Sequence, residues 1–125
     1  MTNNELTYEI RGAAFAVHRE LGPGLLESAY EAALRLELEL RGLEVAQQVY
    51  LPVRYKGTEL NVNYRMDLTV NRAVIVEVKA LREVVPLHRA QLLSYLRLAD
   101  MRIGLLMNFN VTNMQTGIER LVHRL

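Results

Sequence analysis

Residues 64–80 read YRMDLTVNRAVIVEVKA, and the way this stretch pairs with itself decides the fold. Leu60, Val62, Tyr64, Met66, Leu68 and Val70 fall on one parity, while Glu59, Asn61, Asn63, Arg65, Asp67 and Thr69 fall on the other. After the turn NRA, Val74, Val76 and Val78 alternate with Ile75, Glu77 and Lys79. Both runs have the period of a strand. A two-residue loop, Asn71 and Arg72, would pair Met66 with Glu77 and mix apolar with polar side chains on one face. A three-residue loop, Asn71 to Ala73, pairs Leu68 with Val76 and Val70 with Val74, giving a coherent buried face. That register sets Asp67 opposite Glu77. Directly opposed Cβ atoms lie about 5 Å apart, where two carboxylates repel unless positive charge stands near them. Lys79, two residues on and on the same face, is one such charge, and a hard cation would be another.

Upstream, Val45, Val49, Leu51, Val53 and Tyr55 alternate over residues 44–55 as a strand, and Pro52 assigns that strand to an edge because it cannot donate to a ladder. YKGTE is a turn, so three antiparallel strands form a meander. Before them, Leu6, Ile10, Ala13, Ala14, Val17 and Leu21 predict a helix over residues 5–21, which GPG at 22–24 ends. Leu26, Ala29, Tyr30, Ala33, Leu36 and Leu40 predict the apolar face of a second helix, stopped at Gly42. Downstream, Pro86 opens a helix that runs through about residue 98. The apolar RIGLLMNFN that follows predicts a strand buried on both faces. As the end of a strand-helix-strand crossover, it should run parallel to the strand carrying Glu77. GIERLVHRL fits either an edge strand or a short helix, and is taken as a closing edge strand. The expectation is an α/β fold of order α-α-β-β-β-α-β-β, a mixed sheet flanked by helices.

The chain has 125 residues and a formal net charge of +1, which predicts a single domain spanning residues 1–125 without a blanket basic surface. It contains no cysteine, excluding disulfides, thiolate metal sites and a cysteine nucleophile. No apolar run is long enough for a membrane span and the N-terminus does not read as a signal peptide, so the cytoplasm is the expected location. Arginine and glutamate dominate the charge: the only lysines are Lys56 and Lys79, and the only aspartates Asp67 and Asp100. Two of these four minority residues belong to the constellation above.

Asp67, nine residues and then EVK at 77–79, on neighbouring strands of this order, resembles the active-site motif of the PD-(D/E)xK nuclease superfamily, with its restriction-endonuclease-like core. Within it, GLLESAY resembles the G-x-x-E-x-x-Y signature of a small prokaryotic family. GPGLLESAYEAAL, YRMDL, VIVEVKA, HRAQLLSYL and GLLMNF are similar to that family's blocks, in order. Met66 stands where the superfamily's nominal proline would precede the aspartate. The resemblance implies a nuclease hydrolysing phosphodiester bonds with Mg²⁺ or Mn²⁺. Asp67, Glu77 and the Val78 backbone carbonyl would be ligands, and Glu27 would reach the site from the second helix, through water or to a second metal. Lys79 would orient or deprotonate the attacking water. Gln91 and Tyr95, four apart on one helical face, resemble a Q-x-x-x-Y element that lines the path of DNA in related exonucleases. The implied partner is nucleic acid, DNA in preference to RNA, with a homodimer as one way for a small domain to hold a duplex.

Several of these residues have plainer explanations too. A carboxylate in the first turn of a helix is stabilised by about 0.3–1 kcal/mol at the positive end of the dipole, which by itself accounts for Glu27. Tyr30 reads as a core aromatic, and Gln91 and Tyr95 suit the polar boundary of an amphipathic helix. Arg65, Arg72, Arg82 and Arg89 could form a local basic patch or pair with nearby glutamates. The competing functional reading is a module on the same fold that binds nucleic acid or a protein without cutting.

Overall fold

The computed structural model describes residues 1–124. The chain forms α1 (Asn3–Leu21), α2 (Glu27–Leu40), β1 (Val45–Leu51) and a small hairpin of β2 (Arg54–Tyr55) and β3 (Thr58–Glu59). Then come β4 (Tyr64–Val70), β5 (Val74–Lys79), α3 (Pro86–Ala99), β6 (Ile103–Asn108), a 3₁₀ turn (Met114–Gly117) and β7 (Ile118–Val122). This is the expected order, with the β2–β3 hairpin added. The sheet runs β1-β4-β5-β6-β7, and only β5 and β6 are parallel. Leu68 pairs with Val76 and Val70 with Val74, the register that the burial pattern predicts.

Helices α1 and α2 cover one face of the sheet. Ile10, Ala13, Ala14, Tyr30, Leu34 and Leu38 pack there with Val74, Val76, Val78 and Leu105. Helix α3 covers the other face, setting Leu92, Tyr95 and Leu96 against Ile75 and Leu106. It comes close because position 104 is glycine: a Cβ there would lie 2.9 Å from Leu92 Cδ1. Two of the predicted apolar faces need correction. On α2 the buried residues are Tyr30, Glu31, Leu34 and Leu38, while Leu26, Leu36 and Leu40 are exposed. Leucines at every second position from 34 to 40 offer the helix two competing stripes, and the one in line with Tyr30 is buried. On β4 the face changes at Asp67: Leu68 and Val70 lie under α1 and α2, whereas Met66 lies under α3. Residues 60–63, expected to extend this strand, lie outside it.

The turn between the first two helices depends on Tyr30. Gly22 and Gly24 take φ of 66° and 105°, conformations that glycine reaches without steric cost. The fully buried Tyr30 donates its hydroxyl to the Gly22 carbonyl at 2.6 Å and accepts from the Leu25 N–H at 3.0 Å. Its ring stacks on Phe109, centroids 4.8 Å apart. Tyr30→Phe keeps the stack and strips both backbone groups of their partner, so a loss of about 1–2 kcal/mol is expected. A thermal melt should show this as a fall of about 3–8 °C.

Candidate active site

β4 and β5 separate where their polar residues meet. The ladder ends at Leu68–Val76, and beyond it each strand bonds the other through a carboxylate. The Val78 N–H donates to Asp67 Oδ2 at 2.8 Å, and the Asp67 N–H donates to Glu77 Oε2 at 2.8 Å. One oxygen of each acid is thus tied down, which fixes both side chains. The pairing of β4 with β1 is interrupted at the same point: Leu68 pairs with Gln47 and Met66 with Val49, while Gln48 and Asp67 between them are unpaired. Gln48 takes φ of 51° there, and this local reversal marks where both strands change the face they present.

Gln48 connects the sheet to α2. Its Nε2 lies 3.1 and 3.0 Å from the two Glu31 carboxylate oxygens and 3.4 Å from Asp67 Oδ1. The neighbouring Gln47 also donates to Glu31 and is itself held by Arg35 at 2.8 Å. Glu31, only 9% exposed, is therefore the acid that α2 delivers to Asp67. Glu27, one turn earlier, is exposed and makes no hydrogen bond or ion pair among the described residues. Glu31 was legible in part: it adjoins Tyr30, Leu34 and Leu38, the stripe that is buried, and a helical wheel centred on that stripe puts it at the edge of the core.

Burial dominates the electrostatics. Glu77 is 4% exposed, and burial, followed by the charge of Asp67, pushes its carboxyl up from 4.5 to about 8. Burial also raises Asp67, and Glu31 adds to the effect, while the Val78 N–H and the Lys79 charge oppose it. Lys79 is half-buried at the end of β5, and no ion pair among the described residues occupies its ammonium. On α3, Tyr95 is buried with its ring edge to Tyr64 at 6.2 Å between centroids. Burial raises its phenol, and the charges of Glu77 and then Asp67 raise it further, so Tyr95 lies within their field. Gln91 is one turn away, half-buried.

A family model described as the PD-(D/E)XK nuclease superfamily matches residues 4–121. The chain belongs to this superfamily. The mixed five-stranded sheet flanked by helices is consistent with the restriction-endonuclease-like fold. No curated protein and no solved structure matches the chain. No helix among the described residues is long and apolar enough to cross a membrane.

PD-(D/E)XK nucleases typically use divalent metals, and the donors suit a hard cation. Among the described residues no three His, Cys, Asp or Glu side chains form a ready-made cage. Mg²⁺ does not require one: it is commonly held by one or two carboxylates, with water and substrate phosphate completing its shell. Glu77 Oε1 has no hydrogen-bond donor among the described residues, and Asp67 Oδ1 receives only the long contact from Gln48. Two desolvated carboxylates side by side, each with an oxygen to offer, fit such an ion.

Proposed function

We propose that the protein is a Mg²⁺-dependent nuclease of the G-x-x-E-x-x-Y type, cutting nucleic-acid phosphodiester bonds, with DNA as the principal substrate. The observation that carries this reading is the reciprocal clamp between Asp67 and Glu77, with Lys79, in no ion pair among the described residues, within their electrostatic reach. So much buried negative charge destabilises the fold unless it serves to bind something positive.

In this reading Asp67 and Glu77 hold Mg²⁺ with help from the Val78 carbonyl, and Glu31 adds negative charge from α2. When bound, the ion lowers the pKa of water and neutralises phosphate charge. Lys79 would orient the attacking water or help deprotonate it, and would counter the charge that builds on the phosphoryl oxygens. Gln48 spaces Glu31 from Asp67, its amide nitrogen standing between carboxylates where a cation is also favoured. In this reading Glu31 takes the place that the resemblance implies for Glu27, which is exposed one turn earlier on α2, and Tyr30 holds the start of that helix.

The competing reading, a module that binds without cutting, draws on the near-neutral charge and the lack, among the described residues, of a three-ligand cage. Incubation with single- and double-stranded DNA and RNA, in Mg²⁺, Mn²⁺ or EDTA, separates the two. Cleavage that needs the cation and is lost in Asp67→Asn is expected. Binding without cleavage of any substrate would favour the module.

A further inference from the structure

A groove of about 430 Å³ runs between α3 and the neck of the β2–β3 hairpin. Its walls are apolar: Val53 from the hairpin neck, with Leu87 and Leu98 from α3. Leu87 is 74% exposed and Leu98 43% exposed, so apolar surface here is left open to water. Tyr64 and Tyr95 also line the groove, and Tyr64, 45% exposed, leaves part of its ring free. Gln91, Ser94 and His88 supply polar groups along the α3 side. The His88 Nδ1 accepts from the Val85 N–H at 3.0 Å, leaving the other ring nitrogen free to donate.

These features fit one kind of guest. A nucleobase has flat apolar faces that stack on aromatic rings and a polar edge that needs donors and acceptors, and stacking on a side chain contributes about 1–3 kcal/mol per base. A base within a duplex presents neither face, because both are stacked. Val53 leads from the groove into the hairpin, where the chain carries Arg54, Tyr55 and Lys56. Lys56 lies over the Tyr55 ring at 5.4 Å, while Arg54 pairs at 3.6 Å with Glu59, the only acid from residue 50 to residue 65. A strip of the hairpin bearing Tyr55 and Lys56 therefore adjoins an apolar slot lined by Tyr95, which lies within the field of Asp67 and Glu77. We infer that the groove receives an unstacked base of a single-stranded nucleic acid, whose backbone follows the hairpin strip so that the adjoining phosphate meets the carboxylates.

This rests on the nuclease reading for what happens at the phosphate, and its test is binding, so that the two can fail separately. The full chain is titrated in Ca²⁺ against labelled 12-nucleotide DNA and RNA single strands, each containing one 2-aminopurine, and against the DNA duplex of the same sequence. Single strands are expected to bind at least about tenfold more tightly than the duplex, with a 2-aminopurine signal reporting a base moved against tyrosine. Leu98→Glu, on an exposed part of the wall, should remove that preference and signal. Tyr64→Leu should weaken the signal more than the affinity. Equal affinity for duplex and single strand, no binding to either, or indifference to Leu98→Glu would each overturn the inference. So would a dimer that Leu98→Glu dissociates, since the groove would then seat a second copy. Single-strand binding without cleavage in Mg²⁺ would leave the groove assigned and sink the nuclease reading.

Discussion

Lys79→Ala is expected to lower Mg²⁺-dependent cleavage by about 10³-fold while changing substrate affinity by less than about threefold, in the range found when a general base or an oxyanion-stabilising group is lost. Its ammonium is engaged by no ion pair among the described residues, so its charge is available to the reacting phosphate, not spent on holding the fold. Lys79 lowers the pKa of both Asp67 and Glu77, which places it within their electrostatic reach. Lys79→Arg discriminates between its two tasks. Arginine restores the charge but cannot give up a proton near neutral pH, so a rescue of less than about tenfold points to proton handling, and full rescue to charge alone. Cleavage unaffected by Lys79→Ala would remove this lysine from the mechanism. Glu31→Gln, measured beside it, should cost at least about tenfold and Glu27→Gln less than about twofold, because only Glu31 is linked to Asp67 through Gln48. The reverse order would restore Glu27 to the site.

The contrast between those two glutamates shows where a sequence stops being legible. The β4–β5 register followed from alternation alone, since a slip of one residue would have set the valines of β5 on the face of Asp67 and Thr69. The parallel β6 followed in the same way, from an apolar run that a one-sided strand could not hide. Helix α2 differs because leucine recurs at 34, 36, 38 and 40, so its pattern fits two faces and propensity cannot choose between them. The packing of Tyr30 onto Phe109 chooses, and that is a contact between residues 79 positions apart. The interruption at Gln48 and Asp67 was hidden for a related reason. It leaves the register intact on both sides, so it leaves no trace in the count of residues, yet it turns Met66 toward α3 and joins Gln48 to Glu31. The β2–β3 hairpin, by contrast, carries an ordinary signal: Lys56 and Gly57 at φ of 51° and 81° form the kind of two-residue turn that joins short antiparallel strands.

The same carboxylates that make the site should also make the metal-free protein sensitive to pH. In the unfolded chain Glu77 loses its proton near 4.5, whereas in the fold it keeps it to about 8. Across that interval the folded state binds more protons than the unfolded one, so stability is greatest on the acid side and falls as pH rises. The full displacement corresponds to at most roughly 5 kcal/mol. Asp67 shares the same repulsion, so the two acids do not contribute independently. In EDTA, the melting temperature at about pH 8.5 is expected to lie at least about 5 °C below that at about pH 5.5, beyond what surface charges of this near-neutral chain produce. Glu77→Gln removes the ionisation, so this variant should melt higher than the parent at the alkaline pH and show most of the slope abolished. Millimolar Mg²⁺ should raise the parent at alkaline pH and leave Glu77→Gln nearly unmoved, because the ion stabilises only a site that still carries its charge. A parent protein equally stable at both pH values, or a Mg²⁺ shift that persists in Glu77→Gln, would mean that the buried pair is neither strained by its charge nor the place where the cation binds.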